Sequence, residues 1–303
     1  MNNKKTMLFL SLLSVSFLAS ASTSNTTYKP NKVTNLIGWS LSVPVDNDGN
    51  GKADNIKEEE LASGYSNPPY FYINTDGDLV FKSYVKGFKT SKNTTYTRSE
   101  LREMLRKGKT SINTKGVDKN NWVLSSSPKA EQEKAGGVDG TLTATLSVNH
   151  VTETGKDYQI GRVIIGQIHA NDDEPLRLYY RKLPMNDNAS IYFAHEPRHG
   201  FGKEKYYSLI GSKSNTQSNP KNGIAINEKF SYSIVAKGNT IKVTISRPNM
   251  ADVSKTIDIS KSGYDKEGQY LYFKAGVYNQ NKTGKPSEYA QATFYSIKAT
   301  HNK

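Results

Sequence analysis

The sequence predicts an all-β protein whose sheets pack as a two-sheet sandwich or jelly roll. Hydrophobic and polar residues alternate over residues 141–148, 230–236 and 240–247. A period of two is typical of half-buried antiparallel strands, because successive side chains point to opposite faces of a sheet. The only helix-like segment is Ile56–Ala62, which is two turns long at most. Many short strands without long helices favour a sandwich or jelly roll.

Turn-forming residues separate the predicted strands. The clearest of these turn signals are Asn74–Gly77, Thr154–Gly155, Lys237–Asn239 and Lys261–Gly263. Glycine and asparagine tolerate the backbone angles that tight turns need, so each cluster predicts a chain reversal. The spacing of these reversals is consistent with one β domain over residues 32–303.

The N-terminus has the features of a secretory signal peptide. Lys4 and Lys5 precede an apolar run from Met7 to Ala19, and a small-x-small cleavage pattern ends at Ala21. The run is too short to span a bilayer as a mature helix. We therefore predict a signal peptide over residues 1–21 and a short polar linker over 22–31. The mature protein is expected to be secreted, extracellular or periplasmic, with no membrane association.

The composition indicates an acidic binding partner. Lys and Arg number 41 against 28 Asp and Glu, which gives a formal net charge of +13, and there is no cysteine. The absence of cysteine excludes disulfide scaffolds and thiol nucleophiles. The basic residues are spread along the chain without a nucleic-acid-binding motif, and for an exported protein an acidic polysaccharide is an equally natural polyanionic partner. The alternative is that the excess charge serves only solubility.

Three predicted strands carry polar side chains on one face. They are Tyr96–Arg106, Arg162–His169 and Tyr270–Gln280. Strand alternation places Arg98, Glu100 and Arg102 on one face of the first strand, and Gln167 and His169 beside Val163 and Ile165 in the second. In the third strand it places Tyr272, Lys274, Gly276, Tyr278 and Gln280 together, opposite Phe273, Ala275 and Val277. Neighbouring strands with these faces would form a cationic groove that contains a proton-transfer pair.

The same three segments resemble the signature blocks of a known enzyme family. R-S-E-L-R at Arg98–Arg102, Q-I-H at Gln167–His169 and Y-F-K-A-G-V-Y-N-Q at Tyr272–Gln280 are similar to those of the family 7 polysaccharide lyases, which are alginate lyases. The resemblance covers about Lys32–Ala299. It implies a concanavalin A-like β-jelly roll with the substrate on the concave sheet, and β-elimination of alginate without a required cofactor. Residues 32–303 would then be the catalytic domain, and we expect it to act as a monomer.

The resemblance also supports roles for four residues. Removing H5 of a uronate puts charge beside a carboxylate, so the reaction needs groups that neutralise it; Arg98 and Gln167 are suited to this. His169 is suited to accept H5 if it is neutral, and Tyr278 to protonate the leaving O4. In a one-sided (syn) elimination, Tyr278 would serve as both base and acid. The sequence leaves this division between His169 and Tyr278 open.

Further residues on the same faces are expected to bind sugar or to hold Arg98 in place. These are Glu100, Arg102, Lys274 and Gln280. Isoleucine at Ile168 resembles family members that accept guluronate-containing blocks, which predicts a preference for polyguluronate or mixed blocks. We expect the cleavage to be endolytic. The alternative function is a non-catalytic jelly-roll module that binds acidic polysaccharide. Such a module needs neither base nor acid, so the presence of both favours the enzyme.

Two other motifs suggest metal binding only weakly. The loop from Asp46 to Asp54 offers oxygen ligands at alternate positions, namely Asp46, Asp48, Asn50 and Asp54. Lys57 stands where an EF-hand would have its closing Glu, so a polar turn is favoured over a structural calcium. His195 and His199 have a spacing that suits zinc only on a helix, and Pro197 between them favours a loop.

Overall fold

The computed structural model describes residues 36–302, and these form a two-sheet β sandwich. The predicted signal peptide and linker lie outside the described residues. The strands are β1 Trp39–Val43, β2 Asp54–Ile56, β3 Phe71–Ile73, β4 Leu79–Tyr84, β5 Arg98–Glu103, β6 Trp122–Val123, β7 Gly137–His150, β8 Arg162–His169, β9 Leu176–Arg181, β10 Asn188–His195, β11 Lys205–Ile210, β12 Ile224–Ala225, β13 Phe230–Lys237, β14 Thr240–Ser246, β15 Val253–Asp258, β16 Tyr272–Asn279 and β17 Tyr289–Asn302.

Nine strands form one sheet and eight form the other. The first sheet, here called the cleft sheet, runs β11-β10-β9-β8-β16-β5-β1-β2, with β12 paired to β10. The second, the back sheet, runs β15-β14-β13-β7-β17-β4-β3, with β6 paired to β7. All pairs except β6–β7 are antiparallel. The predicted sandwich is therefore confirmed, as are the three alternating segments, which form parts of β7, β13 and β14.

Helical structure is confined to short segments in the described part of the chain. Helix α1 spans Glu58–Ala62, and a second helix, α2, spans Lys129–Lys134. The predicted helix began two residues too early, because Ile56 is the last residue of β2. No periodic pattern in the sequence predicts α2, which is only six residues long. Within residues 36–302, neither helix has the length and apolar character needed to cross a membrane.

The hydrophobic core lies between the two sheets and fixes which side chains face the cleft. Phe273, Ala275 and Val277 of β16 are buried in it, as predicted. Val163 and Ile165 of β8 are also in this core, so the prediction that they share the face of His169 is wrong. The reason is a register shift in the β8–β9 pairing at Ile164/Gly166. A bulge of this kind adds a residue and reverses the alternation beyond it.

A contact between the sheets explains why the bulge contains glycine. Tyr232 of β13 in the back sheet donates a hydrogen bond to the Ile165 carbonyl at 3.0 Å. A Cβ on Gly166 would lie 2.8 Å from the hydroxyl oxygen of Tyr232, closer than real side chains approach. Glycine therefore lets the tyrosine reach β8, and the shifted strand turns His169 towards the cleft.

Candidate active site

A cleft of about 1030 Å³ lies over the middle of the cleft sheet. Its floor is formed by adjacent strands, because Arg98 pairs with Tyr278, and Lys274 pairs with Arg102 on one side and Gln167 on the other. The three segments singled out from the sequence are thus neighbours. Of the predicted site residues, those that line the cleft are Arg98, Arg102, His169, Lys274, Tyr278 and Gln280.

Glu100 lies below the cleft floor, where it organises the cationic residues. Its carboxylate is 1% exposed and accepts hydrogen bonds from Arg98 Nη1 at 3.1 Å, from Lys274 Nζ at 2.5 Å and from Gln167 Nε2. Burial alone would raise the pKa of Glu100, but the charges of Lys274 and Arg98 outweigh it and hold the pKa below its usual value. Glu100 does not line the cleft in this structure, so direct sugar binding by it stays a prediction; the alternative, that it holds Arg98, fits the contacts.

Gln167 is fully buried beside Glu100. Its Nε2 atom donates to that carboxylate, and its Oε1 atom is buried without a hydrogen-bond partner. The side chain belongs to the same network as Lys274 and Arg98. It does not line the cleft in this structure, so its contact with substrate stays a prediction.

Lys274 carries a cation whose charge is sensitive to pH. It is 6% exposed and lies at the cleft floor. Burial lowers the pKa of Lys274 to about 8, and the neighbouring charge of Arg98 acts in the same direction, against the attraction of Glu100. The two cations together compensate the single buried carboxylate and leave one positive charge in excess for an acidic ligand.

His169 is held as a neutral imidazole. Burial lowers its pKa to about 3, and the positive charge of Lys274 is the next cause. Its Nδ1 atom lies 2.7 Å from the Ala170 carbonyl oxygen, which can only accept, so Nδ1 carries the proton. The Nε2 atom therefore keeps its lone pair. Tyr272 stacks on the ring at 5.0 Å between centroids and fixes its plane.

Tyr278 keeps its proton at neutral pH. Burial raises the pKa of its phenol, and the charge of Arg98 offsets only part of that increase. The Arg98 guanidinium carbon lies 3.7 Å from the centre of the Tyr278 ring, so the two side chains are held against each other. Arg98 Nε has no hydrogen-bond partner, although it is buried. The cleft thus combines a neutral base, a protonated phenol and an arginine with unused hydrogen-bonding capacity.

The remaining predicted residues occupy the walls. Arg102 lies over the Tyr272 ring at 4.0 Å and donates to the Thr114 carbonyl at 2.7 Å. Gln280 is 4% exposed, lines the cleft, and has an Nε2 atom without a hydrogen-bond partner. Both side chains are therefore placed to contact a ligand.

Sequence reasoning missed several cleft residues. Tyr272 lies on the predicted strand face without a predicted role, and no pattern in the sequence points to Glu174 or Arg177, although all three line the cleft. Glu174 Oε1 lies 3.5 Å from His169 Nε2. Glu174 follows β8 in a loop, where side-chain direction has no period that a sequence could reveal.

The weak metal candidates do not themselves line this cleft, although Ala53 and Asn55, on either side of Asp54, do. Carboxylate oxygens of Asp46, Asp48 and Asp54 lie within 4.8 Å of one another. Asp46 accepts bonds from the Asn50 and Gly51 amides, and Asp54 from the Asn47 amide, which are the contacts of a polar turn. Asn50 Oδ1 accepts the Lys52 amide instead of joining the carboxylates. A structural calcium here stays a prediction.

The two histidines with zinc-like spacing do not share a helix. His195 is the last residue of β10 and is buried. Its ring nitrogens lie 2.7 Å from the Pro175 carbonyl and 2.7 Å from the Ser262 hydroxyl. Both nitrogens are therefore engaged within the protein, and residues 196–204 form a loop, as predicted.

Comparisons with known proteins agree with this geometry. A family model described as alginate lyase matches residues 34–301. A curated alginate lyase from Klebsiella pneumoniae is 65% identical over 273 residues, which are 88% of this chain and 89% of the relative. The crystal structure of the alginate lyase from Klebsiella pneumoniae matches with a TM-score of 0.89 at 63% identity, covering 90% of this chain and 98% of that chain.

The fold is shared more widely. Alginate lyase A1-II′, a member of polysaccharide lyase family 7, matches with a TM-score of 0.63 at 22% identity, covering 90% of this chain and 98% of that chain. The fold and the cleft thus define a jelly-roll polysaccharide lyase. The chain belongs to the alginate lyases of polysaccharide lyase family 7, and its activity is that of an alginate lyase.

Proposed function

We propose that the protein is a secreted, endolytic alginate lyase that prefers guluronate-containing blocks and releases unsaturated oligosaccharides. Support for a polyanionic substrate comes from the excess of cations over carboxylates at the cleft floor around Glu100. The guluronate preference rests on the resemblance carried by Ile168. That side chain is buried in the core, so it would act through the position of its neighbours Gln167 and His169.

The single observation that carries the mechanism is the 2.7 Å contact of His169 Nδ1 with the Ala170 carbonyl, which leaves the Nε2 lone pair of His169 in the same cleft as the Tyr278 phenol. A neutral imidazole with a free Nε2 lone pair is suited to take H5, and a protonated phenol is suited to give its proton to the leaving O4. We therefore assign the base to His169 and the acid to Tyr278. The step balances, because the C5–H and C4–O4 bonds break while a C4=C5 double bond forms, with H5 taken by His169 and the proton of Tyr278 given to O4.

Arg98 neutralises the uronate carboxylate in this proposal. Its unpartnered Nε and its stacking on Tyr278 place a fixed positive charge beside the acid. Charge then spreads from C5 into the carboxylate as H5 leaves, and a preorganised cation stabilises that charge without rearranging. Lys274 adds to the same field. In this proposal these groups carry out the elimination without a cofactor. We also propose that the mature chain acts as a monomer without membrane or nucleic-acid partners.

The test is an absorbance assay on defined substrates. The mature protein is incubated with polyguluronate, polymannuronate and mixed alginate, and the unsaturated uronate formed by elimination is followed in the ultraviolet. Tyr278→Phe and His169→Ala should each abolish most of the signal, while viscosity should fall early in wild type if cleavage is endolytic. Retained alginate binding without absorbance would favour the non-catalytic module. A polymannuronate-only profile would refute the guluronate preference.

A secondary variant tests the role of Ile168. Ile168→Val removes one methylene group from the core and leaves every cleft side chain chemically unchanged. It should lower the ratio of polyguluronate to polymannuronate rates if Ile168 sets the position of the strand that carries His169. An unchanged ratio would remove the basis for the block assignment while leaving the lyase mechanism intact.

A further inference from the structure

The cleft is not symmetric along its length. Its lining runs from Asn55 on β2, across β1, β5, β16 and β8, and ends at Arg177 on β9. The cleft sheet continues for two further strands, β10 and β11. The described cleft therefore covers one part of the sheet and stops well before its other edge.

Carboxylates gather where the cleft ends. Arg177 Nη1 lies 3.7 Å from Glu174, its Nη2 lies 3.2 Å from Glu196, and Nη2 also contacts Glu204. Three carboxylates thus surround one guanidinium, and the group carries more negative than positive charge. All three side chains are partly exposed, from 23% to 34%. Here the three residues Glu174, Glu196 and Glu204 are called the acidic wall.

The opposite end of the cleft is cationic. Arg102, Lys57 and Lys115 line it, and within residues 36–302 no carboxylate lies within salt-bridge distance of any of them. Charge along the cleft therefore changes sign, from positive over β1 and β5 to negative beyond β8. A polymer with one carboxylate on each sugar is attracted to one end and repelled by the other.

Aromatic side chains fill the sheet face behind the acidic wall. Tyr179 on β9 and Tyr192 on β10 are each 1% exposed and stack at 4.9 Å between centroids. They form a small cluster separate from the main core, against which Tyr206 and Tyr278 pack. Because this surface is already covered, a sugar chain has no open floor to follow past Arg177.

We propose that the acidic wall limits how many uronates bind on one side of the scissile bond. The polymer leaves the cleft at the wall, and bonds near that end of an oligomer are therefore cut preferentially. This inference rests on the proposed binding of alginate across the cleft sheet. Internal cutting of long polymer is still allowed, because a chain that turns outward at the wall remains connected beyond it.

The experiment uses oligoguluronates of increasing length that carry a fluorescent label at the reducing end. The variants are Glu204→Gln and Glu196→Gln/Glu204→Gln, which leave Glu174 as a partner for Arg177. The matched control is Glu228→Gln, since Glu228 pairs with Arg247 at 3.4 Å outside the cleft. The readouts are the ratio of kcat/KM between long and short oligomers and the position of the cut. Both are ratios within one sample, so a fraction of unfolded protein does not change them.

For wild type, kcat/KM should stop rising with oligomer length once the added sugars would have to bind at the acidic wall. Its cuts should cluster towards one end of the oligomer. Each removed carboxylate should raise the long-to-short ratio about two- to fivefold and shift cuts towards the middle, an effect that salt should reduce. The proposal would be overturned if the long-to-short ratio of kcat/KM and the cut positions were the same in the double variant, wild type and Glu228→Gln. Loss of elimination in wild type would instead overturn the proposed function.

Discussion

Replacing Glu100 with glutamine tests how the cationic floor of the cleft is held together. The side chain is 1% exposed and accepts bonds from Arg98, Lys274 and Gln167. Glutamine preserves the shape, but it removes the negative charge and turns one acceptor into a donor that faces other donors. Two buried cations are then left without a counter-charge.

The expected cost follows from this loss. Breaking a buried ion pair by removing one partner destabilises a protein by about 3–5 kcal/mol. That is a large share of the roughly 5–15 kcal/mol by which a typical domain is stable. Lys274 should respond as well, because Glu100 is the group that opposes the lowering of its pKa. In Glu100→Gln, Lys274 should therefore lose its proton at a lower pH than about 8.

The assay is urea unfolding at pH 7 for wild type, Glu100→Gln, Lys274→Met and the double variant. The midpoint should fall sharply in both single variants, with an unchanged slope. The double variant should be more stable than the sum of the two losses predicts, because removing both partners leaves fewer unpaired charges. A Glu100→Gln loss below about 1 kcal/mol, the range of exposed ion pairs, would refute the reasoning, and so would strictly additive losses.

Three further predictions concern protons. Tyr278→Phe should lower kcat about 10²- to 10⁴-fold with little change in KM, because general acid catalysis is lost while the ring remains; a raised KM with an unchanged kcat would point to binding instead. The acid limb of kcat/KM should lack a titration near pH 6.5, since the His169 pKa is about 3; an inflection there that disappears in a His169 variant would contradict the neutral base. Burial opposes the charged form of His301, but Glu103 at 2.8 Å raises the His301 pKa overall. The stability that this ion pair gives the protein should therefore be complete below pH ~6.5 and be lost as the pH rises through the folded-state pKa of His301. His301→Gln should remove that pH dependence from urea midpoints, and an unchanged slope would sink the assignment.

The sequence predicted the sandwich because side-chain alternation is a local property. The face of β16 was predicted correctly, since Tyr272, Lys274, Tyr278 and Gln280 all line the cleft. Its opposite face was also predicted correctly and lies in the core. The alternation of β16 holds even though its pairing with β8 shifts register between Ala275 and Tyr278.

The same rule failed in β8, where a bulge depends on a distant contact. Nothing local to Gly166 shows that Tyr232 approaches it from the other sheet. The sequence likewise could not place Glu100 below the floor, because its depth is set by three donors on three strands: Arg98 on its own strand β5, Lys274 on β16 and Gln167 on β8. The acidic wall was missed for a similar reason, since Glu174 and Glu196 are brought together by loops at the ends of separate strands.

The network around Glu100 also has a consequence for the order of folding. Its hydrogen bonds join residues that are 67 and 174 positions apart in the chain. Contacts of such long sequence separation form slowly, because closing the intervening loops costs entropy before the contacts reward it. Catalytic competence should thus be among the last properties regained on refolding, after hairpins such as β13–β14. Recovery of lyase activity is therefore a kinetic probe of the completed topology, which local spectroscopic signals do not report.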